Sequence, residues 1–495
     1  MNAGSAMTKG TKPYDVDVAI FGSGFGGLCM GIKLKEAGID NFVILEKDEM
    51  YGGTWRVNHY PGAACDVPSH LYSFSFAQNA KWTRKFPPQQ ELWAYTQQVV
   101  REFKLEPHIR LNTALVSADF DEHLGIWRVV TSKDSFTAKT VVAATGSLSR
   151  PSIPKFPGLE SFAGKMFHSA YWEHDYDFKG KRVAVIGTGA SAIQFIPEIA
   201  PKVAHLDLYQ RTPPWIMPRP DRKITPVEQW LLQHVKPMQW LYRFLTYLRY
   251  EMRLVAFTKL PVLNRLVRSA AVNNINQHIK DPVLRARLTP DYTPGCKRIL
   301  LMNTYYPTLA RENVKVVFDG IQEIRSNSIV GKDGVERPVD AIILGTGFDV
   351  QHALGEVEIH GRGGKNLREV GKDGLEAYKG CTVTGFPNFF MVTGPNTGLG
   401  HNSMIYMIES GVNYIVKGIK TILDEKLTSV DVKPDVQRQY NSDIQSRFSG
   451  TVWTSGCKSW YLTSTGKNNT LWPGFTWEYR HLTKRFDLAS YDVAS

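Results

Sequence analysis

Two glycine sets, an acid and a few cations are the residues of this chain that could do chemistry together. The first set is Gly22-x-Gly24-x-x-Gly27. Such a turn lets a pyrophosphate come close to the backbone and rest at the N-terminus of the next helix. Glu46 follows 24 residues after Gly22, and a carboxylate there accepts hydrogen bonds from ribose hydroxyls. The second set is Gly187-x-Gly189-x-x-Ala192, and its following strand ends in Gln210-Arg211 instead of an acid. An acid would repel a 2′-phosphate, whereas an arginine binds one. The plainer alternatives are an ordinary strand-to-helix turn at Gly22–Gly27 and a solvated surface charge at Arg211.

One acid-ended site and one arginine-ended site predict FAD plus NADPH, with FAD resident near the N-terminus. The expected FAD contacts here are Gly22, Gly24, Phe25, Gly27 and Glu46. The expected NADPH contacts are Gly187, Thr188, Gly189, Ala190, Ser191, Arg211 and Thr212. A chain holding both cofactors is a flavin redox enzyme.

The elements that must position these residues are legible as patterns. Residues 15–21 (DVDVAIF) form a short apolar run, read as a buried parallel strand. Residues 28–38 (LCMGIKLKEAG) carry helical spacing, and 41–46 (NFVILE) are a second strand. The same order returns as strand 182–186 (RVAVI), helix 193–200 (IQFIPEIA) and strand 205–209 (HLDLY). Residues 141–146 and 341–347 are apolar strands ending in glycine turns. The expected fold class is α/β: two Rossmann-like dinucleotide-binding domains, the second inserted into the first, with a helical insertion. The expected boundaries are an FAD domain over 1–148 and 346–495, an NADP domain over 149–214 and 293–345, and the helical insertion over 215–292.

Two longer motifs carry a family resemblance. Residues 52–66, GGTWRVNHYPGAACD, resemble the glycine–tryptophan–tyrosine–proline–aspartate motif of type I Baeyer–Villiger flavin monooxygenases, within the class B flavoprotein monooxygenases. Phe162-x-Gly164-x3-His168-x3-Trp172 resembles the same family's second motif, departing where Glu173 replaces Pro or Asp. The resemblance implies an enzyme in which NADPH reduces FAD, oxygen adds to give a C4a-peroxyflavin, and a ketone becomes an ester or lactone. The same chemistry oxidises a sulfide or amine in the N- and S-oxygenating relatives, the nearest alternative.

By that resemblance Arg298, in Pro294-Gly295-Cys296-Lys297-Arg298, is the catalytic arginine, and Asp66 orients it. A negatively charged oxygen species needs a fixed cation shielded from water. The resemblance also implies a 2′-phosphate contact at Lys297, and flavin contacts at Thr54, Trp55, Asp66, Tyr72 and Met404. The segment 394–404 would aim backbone N–H groups at the flavin. Residues Cys457-x-Ser459-Trp460-Tyr461 line the substrate side in this reading. His168 and Trp172, four apart, share a face if their segment is helical; they serve as a structural link or, for His168, as a general acid.

Composition sets the outer limits. The chain has 495 residues, 43% of them hydrophobic and 21% charged, which excludes disordered, collagen-like and disulfide-scaffold classes. Lys and Arg number 59 against 47 Asp and Glu, a net charge of +12. That suits a phosphorylated cofactor, an acidic membrane surface or nucleic acid; no nucleic-acid-binding pattern is present, so nucleic acid is not expected as a partner. Cys29, Cys65, Cys296, Cys381 and Cys457 are far apart and without C-x-x-C, which predicts reduced thiols, no metal site and a cytoplasmic enzyme. The N-terminal residues lack a signal-peptide pattern, and no apolar run reaches the length of a membrane span. Residues 230–266 carry Trp230, Trp240, Leu241, Phe244 and Leu248 among arginines and Lys259. They read as a packing domain or as a lid that touches anionic membrane. The expected partners are O2 and a small-molecule substrate, a ketone or else a sulfide or amine, and the enzyme is a monomer or homo-oligomer.

Overall fold

The computed structural model describes residues 12–258, 261–351 and 355–495. Most of the N-terminal stretch that lacks a signal-peptide pattern, and Lys259 of the helical segment, lie outside the described residues.

The first sheet begins with strand β1 (Val16–Phe21), followed by helix α1 (Phe25–Glu36) and strand β2 (Phe42–Leu45). It continues with β3 (Ile109–Arg110), β4 (Leu115–Asp121), β5 (Ile126–Thr131) and β6 (Ser135–Ala143). β1 pairs in parallel with both β2 and β6, Ile20 lying opposite Ile44 and Val142. The apolar run of β1 is thus covered on both faces, as the pattern predicts. On one face Val18, Ile20 and Leu28 pack with Ile405, Val412 and Ile415 of a late helix; on the other Ala19, Phe21 and Val43 pack with Trp127 and Val129.

The second sheet consists of β7 (Lys165–His168), β8 (Arg182–Ile186), β9 (His205–Tyr209), β10 (Val314–Val317) and β11 (Ala341–Leu344). All pairs are parallel, in the order β10-β9-β8-β11-β7. Helix α2 (Ala192–Ile199) leaves β8 through the second glycine turn. After this sheet closes, the chain returns to the first one. Strand β12 (Glu358–His360) pairs with β4, and β13 (Phe389–Met391) pairs with β6. This is the α/β class: the second sheet is parallel throughout, and the first has a parallel core around β1 with β4, β5 and β6 joined antiparallel.

Between β9 and β10 lie α3 (Pro226–His234), α4 (Lys236–Glu251) and α5 (Pro261–His278), with shorter helices at Arg253–Thr258 and Pro282–Leu288. The long helix α6 (Met404–Asp424) follows Ser403, whose hydroxyl accepts from the Ile405 N–H and caps it. Among the described residues no helix is long and apolar enough to cross a membrane.

Two expectations are corrected. Cys296 and Cys457 form a disulfide, their Cα atoms 6.3 Å apart, whereas the cysteine spacing predicts reduced thiols throughout. The partners are 161 residues apart in sequence, so the fold, not a local spacing, brings them together. Cys29, Cys65 and Cys381 are free and buried. Second, His168 and Trp172 do not share a helix face. Residues Lys165–His168 are recruited as the edge strand beside β11, and Ser169–Tyr171 form a single 3-10 turn. Sheet pairing overrides the local four-residue spacing.

Candidate active site

One continuous cavity of about 1610 Å³ runs from the first glycine turn to the second, and its lining includes Glu46, Trp55, Asp66, Arg211, Lys297, Arg298 and Met404. It exceeds the usual size of a site for one small ligand.

At one end the first turn is built for a close approach. A Cβ on Gly27 would lie 1.9 Å from the carbonyl oxygen of Gly22, which no side chain tolerates. Helix α1 therefore starts directly on the strand end, its N–H groups facing the cavity. Glu46 at the end of β2 is buried, and its Oε2 accepts from Ser23 N at 3.1 Å and Ser23 Oγ at 2.5 Å. Its other oxygen accepts from Asp48 N at 3.0 Å. The acid is a fixed acceptor beside the turn, as a ribose partner must be.

The 52–66 motif folds over this turn. Gly53, at φ +55°, places the motif so close that its Cβ would stand 2.8 Å from Gly24 Cα. Trp55 Nε1 donates to the Tyr72 hydroxyl at 3.2 Å, and the two rings meet edge to face with Tyr72 against Phe25. Burial raises the proton affinity of the Tyr72 phenol, so it stays neutral. Thr54, Trp55 and Tyr72 all line the cavity.

The far end of the motif crosses to the second domain. The Tyr60 hydroxyl donates to Gln194 Oε1 at 2.9 Å, and Gln194 Nε2 donates to the Ala64 carbonyl at 2.9 Å. Gln194 belongs to α2, so the halves built on the two sheets meet at this motif. The second turn, Gly187 to Ser191, lines the same cavity with Arg211 and Thr212. Thr188 Oγ1 donates to the Thr212 carbonyl at 3.3 Å. Lys297 also lines it, and its proton affinity is lowered by burial and by the charge of Arg211. The Asp291 charge acts the other way on Lys297, but among the described residues neither cation forms an ion pair with a carboxylate. Two converging cations that no carboxylate pairs fit a phosphate.

Arg298 Nη2 donates to Asp66 Oδ2 at 2.5 Å. The Asp66 charge raises the affinity of Arg298 for its proton more than burial lowers it. The pair lies on the cavity wall, with 40% of the arginine side chain accessible from it. Tyr461, whose hydroxyl burial pushes up to about 12, and Trp460 come from the loop tied to Cys296 through Cys457. Trp460 lines the cavity.

His168 and Trp172 are engaged in packing. The His168 ring accepts from Ala170 N at 3.1 Å and is buried. Trp172 packs against Phe167 and Phe195, with ring centroids 5.3 and 5.1 Å apart. Both hold the second domain together.

Sequence reading missed the Tyr60–Gln194 link, the disulfide, and the support of the segment before α6. There the Asn402 amide donates to Glu251 of α4, whose carboxylate also accepts from Thr476 N and Oγ1. No local signal marks any of them.

Residues 19–241 match the model of the pyridine nucleotide-disulphide oxidoreductase family. A Baeyer–Villiger monooxygenase of Pseudomonas aeruginosa is 50% identical over 481 residues, covering 97% of this chain and 91% of the relative. The solved structure of OTEMO in complex with FAD and NADP superposes with a TM-score of 0.88 at 25% identity, over 97% of this chain and all of that one. Cyclohexanone monooxygenase from Rhodococcus sp. Phi1 bound to NADP+ gives a TM-score of 0.86 at 28% identity, over 98% and 100% of the two chains.

Proposed function

The chain belongs to the Baeyer–Villiger monooxygenases, and on that premise we propose that it converts ketones to esters or lactones, consuming NADPH and O2. It is an FAD- and NADPH-dependent flavoprotein monooxygenase. We assign FAD to the first glycine turn (Gly22, Gly24, Phe25, Gly27), Glu46, Thr54, Trp55, Asp66, Tyr72 and Met404. NADPH takes the second turn (Gly187 to Ser191), Arg211, Thr212, Lys297 and Arg298. In this reading the FAD domain spans 1–148 and 346–495 and encloses the NADP domain and its helical insertion. The cytoplasm, with its NADPH, is the proposed compartment.

The observation that carries the reading is Arg298 held on Asp66 within the wall of the cavity that both glycine turns open onto. Flavin reduced by NADPH supplies the activation of O2. The chain supplies the rest. Asp66 anchors one edge of the guanidinium and keeps it charged. The Arg298 side chain lines the cavity, where in this reading its charge stabilises negative charge developing on the carbonyl oxygen of the ketone. A fixed donor costs little reorganisation when that charge appears. Trp55 and Tyr72 line the cavity, as does Trp460, and in this reading their apolar surface limits the access of water to the reacting atoms.

Purified enzyme supplied with NADPH and O2 is to be given linear, cyclic and aryl ketones beside a thioether. Ester or lactone identified by mass is the expected product. Sulfoxide formation with no ester from any ketone would overturn the ketone reading and move the protein to the sulfur- and nitrogen-oxidising group.

A further inference from the structure

Helix α4 is buried on one face and bare on the other. Its buried face carries Gln239, Tyr250 and Glu251, together with Arg243, which donates to the His70 carbonyl. The opposite face presents Met238, Leu241, Leu245 and Leu248 to solvent, and Met252 extends the row. Their spacing of three and four residues places them on one stripe. Trp240 and Phe244 flank it, their rings parallel with centroids 5.4 Å apart. The exposure is large: 66% for Trp240 and 55% for Leu245. Trp230 of α3 and Leu266 of α5 are also exposed, at 57% and 65%. A single exposed leucine needs no explanation, but an unbroken apolar face three turns long does.

The charges around this face have one sign. Arg249, next to Leu248 on the helix, and Lys223 are exposed, the charges of Arg249 and Arg222 both act on Lys85, and among the described residues neither Arg249 nor Lys223 has a carboxylate partner. The acids of the region are committed elsewhere: Glu228 binds Arg222 at 2.7 Å, and Glu251 is buried against Asn402 and Thr476. A second copy of the chain would bring the same cations face to face across a two-fold contact. An anionic surface with an apolar interior complements both features at once.

We propose that the α4 face seats this enzyme on anionic lipid. Leu241, Leu245 and Leu248 enter the boundary between headgroups and acyl chains, Trp240 lies at headgroup level, and the lysines and arginines meet lipid phosphates. The contact is peripheral. It places the bilayer against the helix whose other face supports the Asn402 turn on the cavity wall, so that apolar compounds dissolved in the membrane are held close to the enzyme. The proposal stands on the surface alone, whichever substrate the cavity accepts.

Flotation of the FAD-loaded enzyme with phosphatidylcholine vesicles, with and without phosphatidylglycerol, tests it. The expected result is flotation with the anionic vesicles at low salt, lost at high salt. The Leu241→Glu/Leu245→Glu enzyme is expected to float on the order of tenfold less. It should retain FAD, because both residues are exposed. Lys223→Glu/Arg249→Glu should lower binding to anionic vesicles and leave the apolar stripe intact. Failure of the FAD-loaded enzyme to float with anionic vesicles would overturn the proposal. Equal flotation with neutral vesicles would overturn its electrostatic half. A lipid-free dimer in sedimentation velocity that Leu245→Glu splits would assign the face to a second copy instead.

Discussion

Lys297 and Arg211 line the same cavity, and the Arg211 charge adds to burial in lowering the affinity of the lysine for its proton. Asp291 offsets part of that effect, but no carboxylate forms an ion pair with either cation among the described residues, which leaves both open to an anionic ligand. The proposed occupant is the 2′-phosphate of NADPH.

Arg211→Ala should therefore discriminate between the two nicotinamide cofactors. Loss of a charge-assisted hydrogen bond of about 1.5–3 kcal/mol corresponds to an increase in KM for NADPH on the order of tenfold to a hundredfold. NADH lacks the phosphate, so its KM should barely move. Equal effects on both would show that Arg211 does not contact the phosphate.

The depressed proton affinity of Lys297 has a pH signature. The ammonium form binds phosphate, and it is lost as pH rises through a value below the ordinary lysine range. KM for NADPH should rise on the alkaline side earlier than an exposed lysine would dictate. Bound phosphate favours the charged form, so kcat, measured with the cofactor in place, should respond only at higher pH. Lys297→Arg should flatten the KM profile, since arginine keeps its charge. A profile unchanged by that substitution would place the titration on another group.

Gly53→Ala tests the packing of the 52–66 motif on the first turn. The added Cβ would meet backbone at 2.8 Å, and the position has a positive φ. Backbone cannot step aside as a flexible side chain can, so the motif must lift from Gly24. The purified variant should carry less FAD, read from the ratio of flavin to protein absorbance. Full FAD content would mean that the contact has no bearing on the flavin site.

The disulfide makes a thermal prediction. A link between residues 161 apart restricts the unfolded chain and contributes about 2–5 kcal/mol in the chain-entropy view. Reductant should lower the unfolding temperature of the parent enzyme and leave that of Cys457→Ser unchanged. It should also loosen the loop of Trp460 and Tyr461, raising the fraction of NADPH consumed without ester. If reductant affects parent and variant alike, the two sulfurs are not bonded.

What could be read in advance divides along physical lines. The strand–turn–helix units were legible because a turn around Gly22–Gly27 and an apolar run such as Val16–Phe21 are local features with known steric causes. Arg298 and Asp66 are 232 residues apart; they could be named only through the motifs that carry the family resemblance. The Cys296–Cys457 bond, the Tyr60–Gln194 hydrogen bond and the Asn402–Glu251 contact have no local signature, since each is made by the packing of distant segments on one another. At His168 a local inference failed because the edge of the second sheet claimed the segment. The bare face of α4 was half legible: its apolar spacing shows in the sequence, and only the structure tells which residues of the helix are covered.

The proposed mechanism stands on Arg298, held by Asp66, stabilising the negative oxygen of the reaction. Removal of one such donor typically costs about 3–4 kcal/mol, or on the order of a hundredfold to a thousandfold in rate. The most direct measurement follows, in one Arg298→Ala preparation, flavin reduction by NADPH and ester formed from a ketone that the parent accepts. Full FAD content is expected, since the first glycine turn is untouched, together with a flavin that NADPH still reduces. Ester formation should be lower by that factor, with the oxygen consumed released as hydrogen peroxide. Ester formation near the parent rate would show that the catalytic centre has been assigned to the wrong residue.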